Sequence, residues 1–390
     1  MRVTDIRVGA VIYTLTASEI SFMGLGGDGR RQLFTAGETR ELIPKLGQLH
    51  DELSDGYAVA RGSVPHLRDF IENWGRRLLP PATWLKDFDV LILVPQGDIH
   101  SIPLHMVRCD NEPLGTRLGI TYTSGLALMS RCMSRNPRRR DKSAGCYFEN
   151  DSPADCEPSA LNAIVGGVDV LGQNNEFFKK IAAELAGCVK GEVLDFYSRI
   201  SLKTVFRRPE MSQILCIVAH GYMDFNNHRM SGLLLAREQL GVLLRNIPLH
   251  GGRYFDFRDL PLRELPASIR PKMEAEILTS AELEIEGVLE SEIVVLLGCS
   301  TSVGRLFPGD EPASLAETFL HIGASSVIAS LWDVDLDFAE KWCRRFFEAW
   351  LNDHLPKALA FKKVMREMME EQWRDKPARL GCMMLKGDWL

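Results

Sequence analysis

Apolar and polar positions follow two different rhythms along this chain. Near the start, Val8 to Leu15 and Ile20 to Leu25 alternate apolar with small or polar residues. Thr16-Ala17-Ser18 separates the two runs and Gly26-Gly27-Asp28-Gly29 closes the second, a pattern that predicts a β-hairpin. Helical periodicity follows over Glu41 to Leu53 and Val64 to Leu79, until Pro80-Pro81 breaks it. Asp89 to Val94 predicts a short buried strand, and Pro95-Gln96-Gly97-Asp98 turns the chain toward Ile102-Pro103-Leu104. Polar, basic sequence from Ser134 to Ser143 marks a boundary, dividing the chain into an N-terminal subdomain over 1–140 and a second domain over 141–390.

Beyond the boundary, strands and helices alternate. Ile164 to Leu171 predicts a strand, Asn175 to Ala186 a helix, Glu192 to Tyr197 a strand and Ser201 to Arg207 a helix. Ile214-Leu215-Cys216-Ile217-Val218 then predicts a strand running into Ala219-His220-Gly221. After Ser231 to Leu235 comes an irregular stretch, Arg245 to Lys272, with four prolines and six basic residues, inside an expected insertion over about 241–275. A helix over Ser280 to Leu289 leads to a second apolar strand, Ile293-Val294-Val295-Leu296-Leu297, which ends at Gly298-Cys299-Ser300. A helix over Ala313 to His321, a strand over Ser325 to Leu331 and two amphipathic helices, Phe338 to Trp350 and Leu355 to Trp373, complete the pattern. Strands alternating with helices imply an α/β fold with a mostly parallel sheet.

At 390 residues, 45% hydrophobic and 25% charged, the chain has the composition of a globular protein with ample length for a core. Its net charge of −6 supplies no electrostatic footprint for nucleic acid or an anionic membrane, so neither is expected as a partner. Arg138-Arg139-Arg140 is the strongest basic run and reads as a solvated loop. No apolar stretch reaches membrane-spanning length and the N-terminus lacks a signal-peptide layout, so a cytoplasmic protein is expected. Nine cysteines at irregular positions without a Cys-x-x-Cys pair argue against a disulfide framework and a structural zinc site. The nine histidines include no His-x-x-x-His pair, and no metal or other cofactor is expected.

The candidate chemistry lies at the two apolar strand ends. His220 and Cys299 are 79 positions apart, each directly after a buried parallel strand. In open parallel sheets, ligand sites lie at the carboxyl ends of strands. A thiol and an imidazole brought together there make a nucleophile and its base, because the reactive species is the thiolate and a neighbouring imidazolium favours it. The competing reading is that Cys299 is a small buried residue, as cysteines commonly are. Gly221 next to the histidine lets the backbone approach a substrate and present its N–H.

These residues resemble a known family. Leu296-Leu297-Gly298-Cys299-Ser300-Thr301-Ser302-Val303-Gly304, then Ser314-Leu315-Ala316-Glu317-Thr318-Phe319-Leu320 and Gly323 to Asp335, look like the C-terminal signature of CHAT-domain proteases. Val94-Pro95, Ile102-Pro103-Leu104 and Val218-Ala219-His220-Gly221 resemble the same family's earlier motifs. The resemblance implies a caspase-like α/β/α sandwich with a mostly parallel central sheet, preceded by a subdomain containing the hairpin and helices. It implies a separase-like cysteine peptidase of clan CD with Cys299 as nucleophile and His220 as general base. The N–H groups of Gly221 and Cys299 would form the oxyanion hole, and the dyad needs no third member.

The same resemblance implies that Asp333 and Asp335 line a pocket for a basic P1 side chain, by similarity to a separase motif. Asp333, Asp335 and Asp337 also stand where carboxylates cap a helix starting near Phe338, Asp337 foremost, so capping remains open for this cluster. The expected function is a cysteine endopeptidase cutting a partner protein, in bacterial defence or programmed cell death. The alternative is a catalytically silent caspase-like scaffold. Sensor repeats that often accompany such domains are absent from the sequence, so a separate activator or sensor chain is expected as a partner.

Overall fold

The computed structural model describes residues 5–55, 59, 62–136, 163–168, 175–194, 205, 212–222, 228–234, 277–298, 301–302, 305–306 and 312–390. The predicted hairpin is β1 (Val8–Leu15) and β2 (Glu19–Gly26), followed by β3 (Arg31–Glu38) and α1 (Thr39–Ser54). Next come β4 (Val90–Val94), β5 (Gly119–Tyr122), α2 (Leu126–Arg135), β6 (Ala163–Val168), α3 (Asn175–Val189) and β7 (Glu192–Leu194). β8 (Ile214–Tyr222), β9 (Gly232–Leu234), β10 (Ile277–Thr279), α4 (Ser280–Glu286) and β11 (Ile293–Leu297) follow. The chain continues through α5 (Leu315–Ile322), β12 (Ser326–Ser330), α6 (Leu336–Phe347), α7 (Lys357–Glu370) and β13 (Met383–Gly387). Arg138-Arg139-Arg140, the 241–275 insertion and, apart from Val205, the helix predicted over Ser201 to Arg207 lie outside the described residues. So do the ends of the strands predicted to reach Leu171 and Tyr197.

The contacts group the described residues into two units, one joining 5–136 to Leu331–Leu390, the other spanning 163–306 and 312–330. In the first unit the sheet order is β13-β5-β4-β1-β2-β3. Its first four strands are parallel and the hairpin pairs antiparallel, Tyr13 opposite Phe22. β3 escapes the hydrophobic pattern because only Ala36 of its eight residues is buried, as suits an edge strand. Leu42, Leu46, Leu49 and Leu53 form the buried stripe of α1, at the spacing of a core-facing helix. The helix predicted over Val64 to Leu79 changes pitch instead: Pro65–Asp69 is α-helical, Phe70–Trp74 is a π turn and Gly75–Leu78 is 3-10. Gly75 N–H donates to Phe70 O, five residues back, and a Cβ at Gly75 would sit 2.5 Å from that oxygen.

The second unit holds a parallel sheet of β7-β6-β8-β11-β12. All five side chains of β11 are buried, so both of its faces are covered. Burying each of these side chains contributes about 1.5–3 kcal/mol before the entropy of ordering is counted. Helix α3 packs on β6 and β8, α5 packs on β12, and α4 packs on α5. Helix α4 starts at a capping box, with Thr279 accepting from Glu282 N–H (3.2 Å) and the Glu282 carboxylate accepting from Thr279 N–H (3.2 Å). The fold is mixed α/β with a mostly parallel sheet, as the alternating pattern predicts.

One buried histidine has a consequence for stability. His105 is fully buried in the first unit, where its backbone N–H donates to Tyr122 Oη (3.0 Å) and its Nδ1 lies 2.9 Å from the same oxygen. Burial pushes its pKa down to about 3, so the folded protein holds it neutral. An unfolded histidine takes up a proton near pH 6.5. Below that pH the unfolded chain binds one proton more than the folded one, and stability falls by about 1.4 kcal/mol per pH unit from this group. Urea denaturation at pH 7 and pH 4.5 should show the wild type losing about 2–3 kcal/mol more than His105→Gln over that interval.

Candidate active site

The parallel ladder between β8 and β11 runs from Ile214–Ile293 to Val218–Leu297, where β11 ends while β8 runs on to Tyr222. The next residue on β11, Gly298, lies so close that a Cβ there would sit 2.4 Å from Ala219 O and 3.3 Å from Gly221 N. Only glycine fits this approach. His220 is the seventh of nine residues in β8, and its backbone pairs opposite Leu234 of β9 while Gly221 pairs opposite Leu233. In the sheet order β8 stands between β9 and β11. Cys299 directly follows Gly298 and lies outside the described residues, as does Ser300.

Buried hydroxyls hold the backbone on both sides of residues 299 and 300. Gly298 O accepts from Ser330 Oγ (2.5 Å) and from Thr301 Oγ1 (3.4 Å). Thr301 Oγ1 accepts in turn from Ser330 N–H (3.1 Å), and Ser302 N–H donates to Ser330 O (2.8 Å). Thr301 O accepts from Ala316 N–H in the first turn of α5 (3.0 Å). That helix is itself capped by Ser314, whose hydroxyl accepts from Glu317 N–H (3.2 Å). Sequence reading passes over Ser330 and singles out neither Thr301 nor Gly298. The available signal is a serine closing a buried strand whose three middle residues are apolar.

Of the six cysteines among the described residues five are buried, and Cys188 is half-buried. Cys216, on β8, is fully buried and desolvation pushes its thiol well above the usual range. Cys109 is shifted the same way by burial, and Cys132, Cys343 and Cys382 are buried too. Among the described residues no cluster of His, Cys, Asp and Glu is arranged to hold a metal ion. No described helix is long and apolar enough to cross a membrane.

The acidic cluster after Trp332 belongs to the first unit. Asp335 is the N-cap of α6, with its carboxylate accepting from Phe338 N–H (3.0 Å) and pairing with Arg379 Nη2 (2.7 Å). Asp337 sits exposed in the first helical turn, and Asp333 is half-buried. The capping role therefore falls to Asp335.

Residues 69–380 match the CHAT domain family over most of the chain. The chain belongs to the CHAT-domain family. No curated protein matches it in sequence. Among solved structures, this CHAT domain is similar to the separase of two crystal structures of the Saccharomyces cerevisiae separase–securin complex, 11% identical in each, with TM-scores of 0.56 and 0.52. Those matches cover 98% and 97% of this chain but only 30% of the separase chain. The Arg-specific cysteine proteinase gingipain R matches more loosely, 11% identical over 87% of this chain and 73% of its own, with a TM-score of 0.44. Separase and gingipain are clan CD cysteine peptidases, and the fold shared with separase is caspase-like.

Removing the Asp335 carboxylate takes away a helix cap, worth about 1 kcal/mol, and a partly exposed ion pair worth about 0.2–1 kcal/mol. Chemical denaturation should therefore show Asp335→Ala losing about 1–2 kcal/mol, with Asp335→Asn, which can still cap, losing less.

Proposed function

We propose that this CHAT domain is a cysteine endopeptidase with a Cys299–His220 dyad. The observation that carries the reading is the end of the β8–β11 ladder at Val218–Leu297, with Gly298 against the Ala219 carbonyl. In the sequence His220 directly follows Ala219 and Cys299 directly follows Gly298. A cysteine thiol with a pKa near 8.5 is already partly ionised at neutral pH, and an imidazolium beside it raises the thiolate fraction.

The Cys299 sulfur attacks the scissile carbonyl carbon, forming a C–S bond as the carbonyl π electrons move to oxygen. The N–H groups of Gly221 and Cys299 take up the resulting oxyanion, each worth about 10²–10³ in rate. The His220 imidazolium protonates the departing amine, leaving a thioester. Neutral His220 then removes a proton from water, which hydrolyses the thioester and releases the thiolate.

We assign the substrate as a protein cut after Arg or Lys, from the similarity of the Leu331 to Asp335 segment to a separase motif. Asp333 and Asp335 are the carboxylates assigned to the basic side chain, and that of Asp335 also accepts from Phe338 N–H and pairs with Arg379. A separate protein partner governs activity in this reading, in a defence or programmed-death setting. The separase of the similar structures is itself in complex with securin.

Two measurements on the full chain test the assignment. Peptide mapping should find Cys299 alkylated by iodoacetamide well ahead of Cys216 and Cys343. A peptide library read by mass spectrometry should show cleavage after Arg and Lys that disappears in Cys299→Ala and His220→Ala. Asp333→Ala should lower kcat/KM by more than about tenfold on basic substrates, since a desolvated cation loses its partner. Cleavage chiefly after Leu would remove Asp333 from the pocket. A Cys299 among the slowest thiols, without cleavage, would favour the silent scaffold.

A further inference from the structure

We infer that Ser330, acting with Thr301, is a positioning residue that fixes the nucleophile-bearing turn; the inference rests on the protease reading of Cys299. All three hydrogen-bonding groups of Ser330 engage that turn: Oγ donates to Gly298 O, N–H donates to Thr301 Oγ1, and O accepts from Ser302 N–H. The contacts bracket residues 299 and 300, one before them and two after. Ser330 and Thr301 are 0% and 2% exposed, so water does not compete for these bonds.

A hydroxyl has no packing reason to sit there. Ser330 closes β12, a strand whose five residues are all buried and whose neighbour β11 is wholly apolar. A buried hydroxyl is costly unless hydrogen-bonded, and alanine would fill the space without that demand. What the hydroxyl supplies is registration. β12 pairs with β11 through Val294–Val327 and Val295–Ile328, so Ser330 ties the turn to the strand that flanks β11 on the side away from β8. Nucleophilic attack needs reacting atoms about 3–3.5 Å apart, and a misplacement of about 1 Å can cost 10²-fold in rate.

The test compares the wild type with Ser330→Ala, Thr301→Val and Thr301→Ser. It reads kcat and KM on the preferred library peptide, the rate of Cys299 alkylation from pH 5 to 9, and the thermal transition. Ser330→Ala and Thr301→Val should lower kcat and the alkylation rate by about 10–100-fold, with KM within about threefold. Thr301→Ser, which keeps the hydroxyl, should stay within about threefold of the wild type on every readout. A merely structural role would lower the thermal transition and leave the rates per folded molecule unchanged, which overturns the inference. If Ser330→Ala does not fold, the Thr301→Val and Thr301→Ser pair decides by the same criteria. Variants equal to a cleaving wild type reject the positioning role and leave the protease reading standing. A wild type that neither cleaves nor alkylates at Cys299 rejects the protease reading, and the inference with it.

Discussion

The close approach of two buried parallel strands is the constraint on which the candidate site depends. β8 and β11 keep register over five pairs, and their backbones come so near at the end that position 298 admits no side chain. Such an approach needs both strands to be apolar on both faces, so that helices can cover the sheet and hold its strands without polar residues to desolvate. The site is thus a consequence of core packing. Its two candidate residues follow Ala219 and Gly298, the first ones past the ladder, where the pairing between these two strands has ended.

Beyond that edge, order comes from buried hydroxyl groups. Ser330, Thr301 and Ser314 each satisfy backbone groups that a turn between a strand and a helix would otherwise leave unpaired. A loop held this way has few alternative conformations at its ends.

In the unit containing the C-terminal segment, aromatic packing does comparable work. Phe338, Trp342, Phe346 and Trp350 recur every fourth residue and are all buried, with Trp342 stacked on Phe346 at 5.5 Å and edge-on to Phe361 at 5.3 Å. Trp332 Nε1 donates to Ala378 O (2.7 Å), so its indole is buried without losing its hydrogen bond. The start of α6 is held to this packed mass through the Asp335 cap and its Arg379 partner. That arrangement commits one of the two carboxylates that resemblance to separase points to.

Much of this is legible in the amino-acid order. The runs Ile214 to Val218 and Ile293 to Leu297 declare buried strands because every position is apolar, and the hairpin declares itself by alternation and its glycine-rich close. Other elements stay hidden for physical reasons. β3 is largely exposed and shows no period, β13 is a short run whose partner Tyr122 lies far back in the chain, and the helix over Val64 to Leu79 changes pitch at Gly75 through contacts with Phe70. Residue types and their spacing determine the alternation of strands and helices and mark His220 and Cys299 as candidates beside two apolar runs. Tertiary structure alone decides that position 298 must be glycine, that Ser330 Oγ reaches the Gly298 carbonyl, that Asp335 caps α6 and that Leu331–Leu390 packs with the N-terminal strands. Each of these depends on which backbone atoms from distant parts of the chain come within van der Waals or hydrogen-bond reach, and periodicity carries no record of that.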